Sequence, residues 1–272
     1  MNVPDRPPAP RRAAASVPAP EPAPAAAAAR PASAGGLVWF DEPAPPRATE
    51  QLSRERIVTA AIGLADREAR GEITMRAVAA ALGARSPMAL YRYVGSKDGL
   101  ADLMVDQVYG LVAVPRGQGW RPALDGLGRT AWDAVQRHPW FARLAFSRPP
   151  LGPGALGLYD AALAELEPLP LDAATRMGFI STVLGHVLGS GLALLEEQAM
   201  RARTGLPTDD DLGRAAAPYL ERIAAAGQHP HFSRWAADPA RYAPEPQSFG
   251  QVLDWLLDGL ATLVPAPSGP PA

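Results

Sequence analysis

From Ser53 onward the apolar residues recur at steps of three and four, and no stretch alternates apolar with polar residues toward a hairpin turn. Steps of three and four stack side chains on one face of an α-helix, whereas alternation would mark a half-buried strand. The expected fold class is therefore all-α. Ser53 caps a first helix carrying Ile57, Val58, Ala61, Ile62 and Leu64, and a second starts at Thr74 with Met75, Val78, Ala79 and Leu82. Gly83 breaks the second, as a residue tolerant of positive φ does just past a helix end. Ser86 then reads as a hydroxyl cap with Pro87 in the first turn of a short third helix ending near Val94-Gly95. Ser96 caps a fourth, with Asp98 in its first turn and Leu100, Leu103, Met104 and Val108 at helical spacing. Beyond Pro115 further helices are expected at about 121–137, 139–147, 153–166, 172–202, 209–226 and 248–264.

Composition narrows the function classes. Hydrophobic residues make up 47% and charged residues 20% of the 272, enough apolar surface for a sizeable core. A net charge of −2 means that any nucleic-acid contact must use a local patch. Without cysteine there are no disulfides and no thiolate metal sites. No run of about 18 uninterrupted apolar residues offers a membrane span, and prolines at 18, 20, 22 and 24 interrupt any signal-peptide core. The expectation is a soluble, cytoplasmic, nucleoid-associated protein. Residues 1–48 are rich in Pro and Ala and expected to be disordered, and 266–272 to be flexible. One apolar knot, Leu37-Val38-Trp39-Phe40, stands out in that tail. It suits a docking contact on the folded body or an arm that grips DNA or a partner.

Two short helices joined by a glycine-containing turn make a helix-turn-helix, here over 74–94. The third helix anchors by Leu90 and Val94 and leaves Ser86, Pro87, Met88, Tyr91 and Arg92 outside, as a helix that reads the major groove must. Thr74, Lys97 and the tyrosine hydroxyls can donate to phosphates, Thr74 and Lys97 from helix starts that themselves attract anions. Between Thr49 and Gly110, Arg54, Arg56, Arg67, Arg70, Arg76, Arg85, Arg92 and Lys97 balance Glu50, Glu55, Asp66, Glu68, Glu72, Asp98, Asp102 and Asp106. Positive charge gathers only over 76–97.

The stretch from Leu82-Gly83 to Leu100, above all Leu90-Tyr91 followed by Val94 and Lys97, resembles the DNA-binding domain of the TetR family of transcriptional repressors. The resemblance implies a DNA-binding domain at 49–112 and a helical ligand-binding and dimerisation domain at 113–265. It places Thr74, Tyr91, Tyr93 and Lys97 on phosphates, and Pro87, Met88 and Arg92 in the groove. The turn Gly83-Ala84-Arg85-Ser86 is one residue longer than the commonest form, which can bring Arg85 to the backbone. The partners implied are a double-stranded DNA operator, a second copy of the chain and a small-molecule effector, with no cofactor.

The C-terminal half is rich in aromatic residues and histidines. An effector pocket, expected between the helices starting at Arg121 and Asp172, draws on Trp132, His138, Trp140, Phe141, Phe179 and His186. By the same resemblance Leu184, Val187, Leu188 and Leu192, with Leu253, Leu256, Leu257 and Leu260, form a four-helix dimer interface. Gly185, Gly189 and Gly191 beside them suggest close approach by a neighbour. His229-Pro230-His231 reads as a Pro-rich loop with no nearby carboxylate, so no metal site is expected. No nucleophile elbow or phosphate loop is present, so no catalytic residue is expected. Two other readings remain open at this point: an all-α enzyme with an accidental helix-turn-helix, and a DNA-binding activator or architectural protein without ligand control.

Overall fold

The computed structural model describes residues 38–40, 52–67, 73–238 and 249–265, all within the compact unit Leu37–Ala272. The expected disorder of 1–48, apart from 38–40, and the expected flexibility of 266–272 lie outside the described residues, as does Leu37 of the apolar knot.

Among the described residues the chain is helical and contains no strand. Helix α1 (Arg54–Ala65) begins where the Ser53 hydroxyl accepts the Arg56 N–H at 3.2 Å, and it buries Ile57, Val58, Ala61, Ile62 and Ala65. Helix α2 (Met75–Ala81) is capped by Thr74 in the same way. Gly83, at φ +63°, turns the chain toward α3 (Met88–Val94). Helix α4 (Lys97–Tyr109) follows from a Ser96 cap. Helix α1 packs against α2, α3 and α4, and its core joins theirs.

The rest is a second helical layer. It comprises α5 (Trp120–Arg137), α6 (Trp140–Phe146), α7 (Pro153–Leu166), α8 (Ala173–Thr204), α9 (Asp209–Ala225), α10 (Pro230–Ala237) and α11 (Phe249–Ala261). The spine is α8, which lies along α5, α6, α7 and α11 and buries Phe179, Ile180, Val183, Leu184, Val187, Leu188 and Leu195. By length and a mean hydropathy of 1.6 this helix alone among the described residues would suffice to cross a membrane. Its apolar face is instead spent on the neighbouring helices, as in a core helix. Gly191 makes this packing close: a Cβ there would fall 2.4 Å from Val135 Cγ1 and 3.2 Å from Ala142 Cβ. Val135 is β-branched and cannot swing aside. Gly191→Ala is expected to destabilise the fold by about 1–3 kcal/mol through overpacking. A lower urea midpoint with an unchanged slope is the check.

The helices expected beyond Pro115 are found, and one more is added. Helix α10 begins at His229-Pro230-His231, so that tripeptide is a helix start and not a loop. Proline at the first position loses no intrahelical donor, which is why Pro230 opens this helix. Gly185 and Gly189 also depart from expectation. Nothing lies within 4 Å of a Cβ at either, so only Gly191 of the three marks a close approach within the chain.

Candidate DNA interface and sensor core

The reading surface is built on α3. Leu90, Tyr93 and Val94 sink into the core at 1% exposure or less, and this narrow footing turns the start of the helix outward. Met88 is 73% exposed there, with Arg85 and Ser86 exposed beside it and Pro87 and Tyr91 half-buried. A thymine methyl is the apolar feature of the major groove that such a side chain can meet. On one flank the exposed Thr74 hydroxyl accepts the Ala77 N–H at 3.1 Å, which leaves its own proton to donate. On the other, Lys97 stands exposed at the first position of α4, beside the Ser96 hydroxyl that accepts the Gly99 N–H at 2.8 Å. Unpaired N–H groups of that helix end favour an anion at the same place.

Three expectations about this surface are corrected. Ser86 does not cap α3: Pro87 occupies the cap position, and no side-chain hydrogen bond is made there. Proline takes the helical φ by itself, so the hydroxyl is left to solvent. Tyr93 is 1% exposed and cannot reach a phosphate, because it follows Leu90 by three residues and shares its buried face. Arg92 is drawn back: its Nη2 donates to the Tyr93 hydroxyl at 2.7 Å, and its guanidinium lies 4.8 Å from that ring. Of the residues expected at DNA, Thr74, Arg85, Ser86, Met88 and Lys97 are exposed, and Pro87 and Tyr91 are half-buried.

Two polar joints, which the sequence reading missed, tie these four helices to the second layer. At the end of α1, Asp66 Oδ1 accepts from Trp140 Nε1 at 2.7 Å and stands 2.8 Å from His138 Nδ1. An ionised carboxylate only accepts, so the histidine nitrogen donates. Along α4, Asp98, Asp102 and Asp106 recur every four residues and therefore share a face. Arg148 donates to Asp98 at 2.9 Å and to Asp102 at 2.7 Å. Asp106 accepts the Gly154 and Ala155 N–H groups at 3.0 and 2.9 Å, and so neutralises the start of α7. The four-residue spacing of these aspartates was the readable signal.

These joints reassign part of the expected effector pocket. His138, Trp140 and Phe141 are 7%, 2% and 1% exposed and belong to the first joint, Phe141 lying edge-on to Tyr109 at 5.0 Å. Burial raises the Tyr109 hydroxyl far above the ordinary tyrosine value, the neighbouring Tyr159 adding to it. Phe179 is core, edge-on to Trp120 at 5.8 Å. What remains is a parallel stack. Phe249 of α11 lies between Trp132 of α5 at 4.4 Å and His186 of α8 at 4.9 Å, both within 6° of parallel. Burial holds His186 below the ordinary histidine pKa, the Phe249 backbone opposing in part. Its Nε2 is buried without a well-formed hydrogen bond.

The residues expected at a dimer face fall into two groups. Leu184, Val187, Leu188, Leu253 and Leu257 are at most 7% exposed and fill the monomer core, while Leu192, Leu256 and Leu260 are half-buried against it. An apolar stripe serves either purpose in a sequence. The sides of α8 and α11 left open carry Gly178, Gly185, Gly189 and Gly259, none with an atom near its missing Cβ, together with Trp255 and Leu263 at 51% and 56% exposure.

Comparison with known proteins gives a consistent answer. Residues 115–264 match the family described as "Tetracyclin repressor-like, C-terminal domain". The HTH-type transcriptional repressor DrrR1 of Streptomyces coeruleorubidus is 36% identical over 232 residues, 84% of each chain. Among solved structures, the TetR family protein ActR of Streptomyces coelicolor in complex with (S)-DNPA superposes with a TM-score of 0.64 at 23% identity, over 79% of this chain and 100% of that one. Its complex with actinorhodin gives 0.62 at 24% identity, over 78% and 98%.

Proposed function

The chain belongs to the TetR family of DNA-binding transcriptional repressors, which are not enzymes, and from that premise we propose that it represses as a homodimer on a palindromic operator and is released by a planar aromatic effector. The observation that carries the reading is the outward start of α3, where Met88 is exposed, with Thr74 and Lys97 exposed at the starts of the helices before and after it. In this reading 49–112 is the DNA-binding domain and 113–265 the sensor. Thr74, Tyr91 and Lys97 contact phosphates, Arg85 and Ser86 border the backbone, and Met88 with Pro87 meets base edges. Arg92 joins them only by leaving Tyr93.

Two copies are needed to span two half-sites one helical turn apart. The open sides of α8 and α11 suit that contact. Gly178, Thr182, Gly185 and Gly189 follow one another at helical steps and let a second backbone approach closely, with Trp255 and Leu263 as apolar cover. For the effector, the Trp132–Phe249–His186 stack supplies aromatic side chains from three helices and one buried nitrogen without a well-formed hydrogen bond. ActR, which has a similar fold, is solved with the small molecules (S)-DNPA and actinorhodin. A ligand that binds the released state better shifts the equilibrium by that difference in affinity. The protein would then act in the cytoplasm, on the nucleoid.

The test is a gel shift on DNA flanking the protein's own gene at two salt concentrations, repeated with a panel of planar polycyclic compounds that includes actinorhodin. A sequence-specific, salt-sensitive shift reversed by a member of the panel is expected. Absence of any specific shift would sink the operator reading. A shift that no compound reverses would leave a repressor without this class of effector.

A further inference from the structure

The apolar knot at 37–40 is not used by the DNA surface or by the aromatic stack, yet its described part is placed with care. Val38 and Trp39 lie in a single 3₁₀ turn, Val38–Phe40, that packs on α4. Val38 is 2% exposed, and its Cβ stands 3.3 Å from where a Cβ of Gly99 would be. Gly99 is itself buried at the start of α4, two residues after Lys97. The Trp39 ring comes within 2.5 Å of a Cβ built on Gly152, the residue before α7, and the Asp106 carboxylate comes equally near. A tryptophan and a carboxylate thus meet over a glycine that leaves room for both.

Trp39 lines one cleft with Asp102, Asp106, Arg148, Leu151 and Gly152, and the void left is about 10 Å³. That is space for one water at most. The cleft is the second polar joint, where Arg148 holds Asp98 and Asp102 and Asp106 holds the start of α7. Indole cover removes water from the inner part of that joint. Arg148 and Asp102 side chains are only 18% and 17% exposed, while Asp98, at the outer end, is 84% exposed. Ion pairs and hydrogen bonds strengthen as water is withdrawn, and at Arg148 both Nη atoms are so engaged while Nε is buried without a hydrogen bond.

We propose that Val38 and Trp39 form an intramolecular strap, which shields the joint between α4 and α7 and so holds the reading helices in the setting that DNA requires. The strap acts on a part of the molecule distinct from the effector stack. It rests on the repressor reading only in that operator binding is its functional readout. With the strap in place, little further ordering is needed when the operator binds. Without it, the joint loosens, and the ordering must be supplied at binding.

The experiment compares full-length wild type, Trp39→Ala and Trp39→Phe, with Trp235→Ala on α10 as a control for loss of a tryptophan elsewhere. Hydrogen exchange is followed in the segment containing Gly154 and Ala155, whose N–H groups bind Asp106, and operator affinity is measured on the same samples. Trp39→Ala is expected to exchange at least about tenfold faster in that segment and to bind operator about three- to tenfold more weakly, at the joint-ordering cost of a few side chains. Trp39→Phe should recover most of both effects, and Trp235→Ala should show neither. Wild-type exchange in Trp39→Ala would overturn the strap, and faster exchange with unchanged operator affinity would overturn its effect on DNA. If wild type itself fails to bind, the repressor reading falls instead, and the exchange measurement still decides whether the strap exists.

Discussion

Lys97→Glu should weaken operator binding by about two to four orders of magnitude without harming the fold. Hydrogen bonds to charged groups are worth about 1.5–3 kcal/mol, and in a dimer the loss acts in both half-sites. Lys97 is exposed at the first position of α4, so no buried partner is stranded by the change. A glutamate is welcome at a helix start, where the dipole favours it by about 0.3–1 kcal/mol, so thermal stability should hold or rise slightly. If the contact is to phosphate as proposed, the plot of log affinity against log salt should become shallower by about two units for the dimer. Met88→Ala should differ in kind, changing base preference at one position per half-site while leaving the salt slope alone. Anisotropy titrations over several salt concentrations separate the two. Wild-type affinity and slope in Lys97→Glu would remove Lys97 from the interface.

Asp66→Ala should cost about 2–5 kcal/mol, because it strands two donors at once, His138 Nδ1 and Trp140 Nε1. The two donors are less than a tenth exposed, whereas Asp66 is itself exposed, its side chain to 29%, so water can enter the vacated place and the cost falls toward the lower end of that range. For a chain of this size that corresponds to a fall in Tm of roughly 5–15 °C. Asp66→Asn keeps one acceptor oxygen in place and should lose markedly less. The comparison matters more than either value: equal losses in the two variants would mean that the cavity, and not the hydrogen bonds, sets the cost. Thermal melts of the three proteins at one pH decide it.

Much of the fold could be read from the sequence because its helix starts are chemically marked. Ser53, Thr74 and Ser96 each accept a backbone N–H from the third residue on, as their place before an apolar stripe suggests. Helix α10 carried no hydroxyl or carboxylate cap and opens on His229-Pro230, so it passed for a loop. Legibility fell further where the outcome depends on which side of a helix faces inward. Tyr93 shares the motif with Tyr91, but its three-residue step from Leu90 buries it. The leucines of α8 and α11 have the same pattern in a monomer core as in a dimer face. Only burial within the chain, which no sequence pattern reports, assigns Leu184, Val187, Leu188, Leu253 and Leu257 to its core. The pairing of Asp66 with His138 spans 72 residues, and no local pattern announces such a partner.

The two polar joints have a mechanical consequence. A rigid body fixed at one point keeps all its rotations, whereas one fixed at two separate points keeps only rotation about the line that joins them. The Asp66 joint holds the end of α1, and the Asp106–Arg148 joint holds the length of α4. Tilt of the first four helices about the line between these joints strains the hydrogen bonds least, while displacement across it must break one set outright. Movement of the α3 end of the molecule is therefore restrained by four aspartates together with the apolar packing of α4 on α6 and α7.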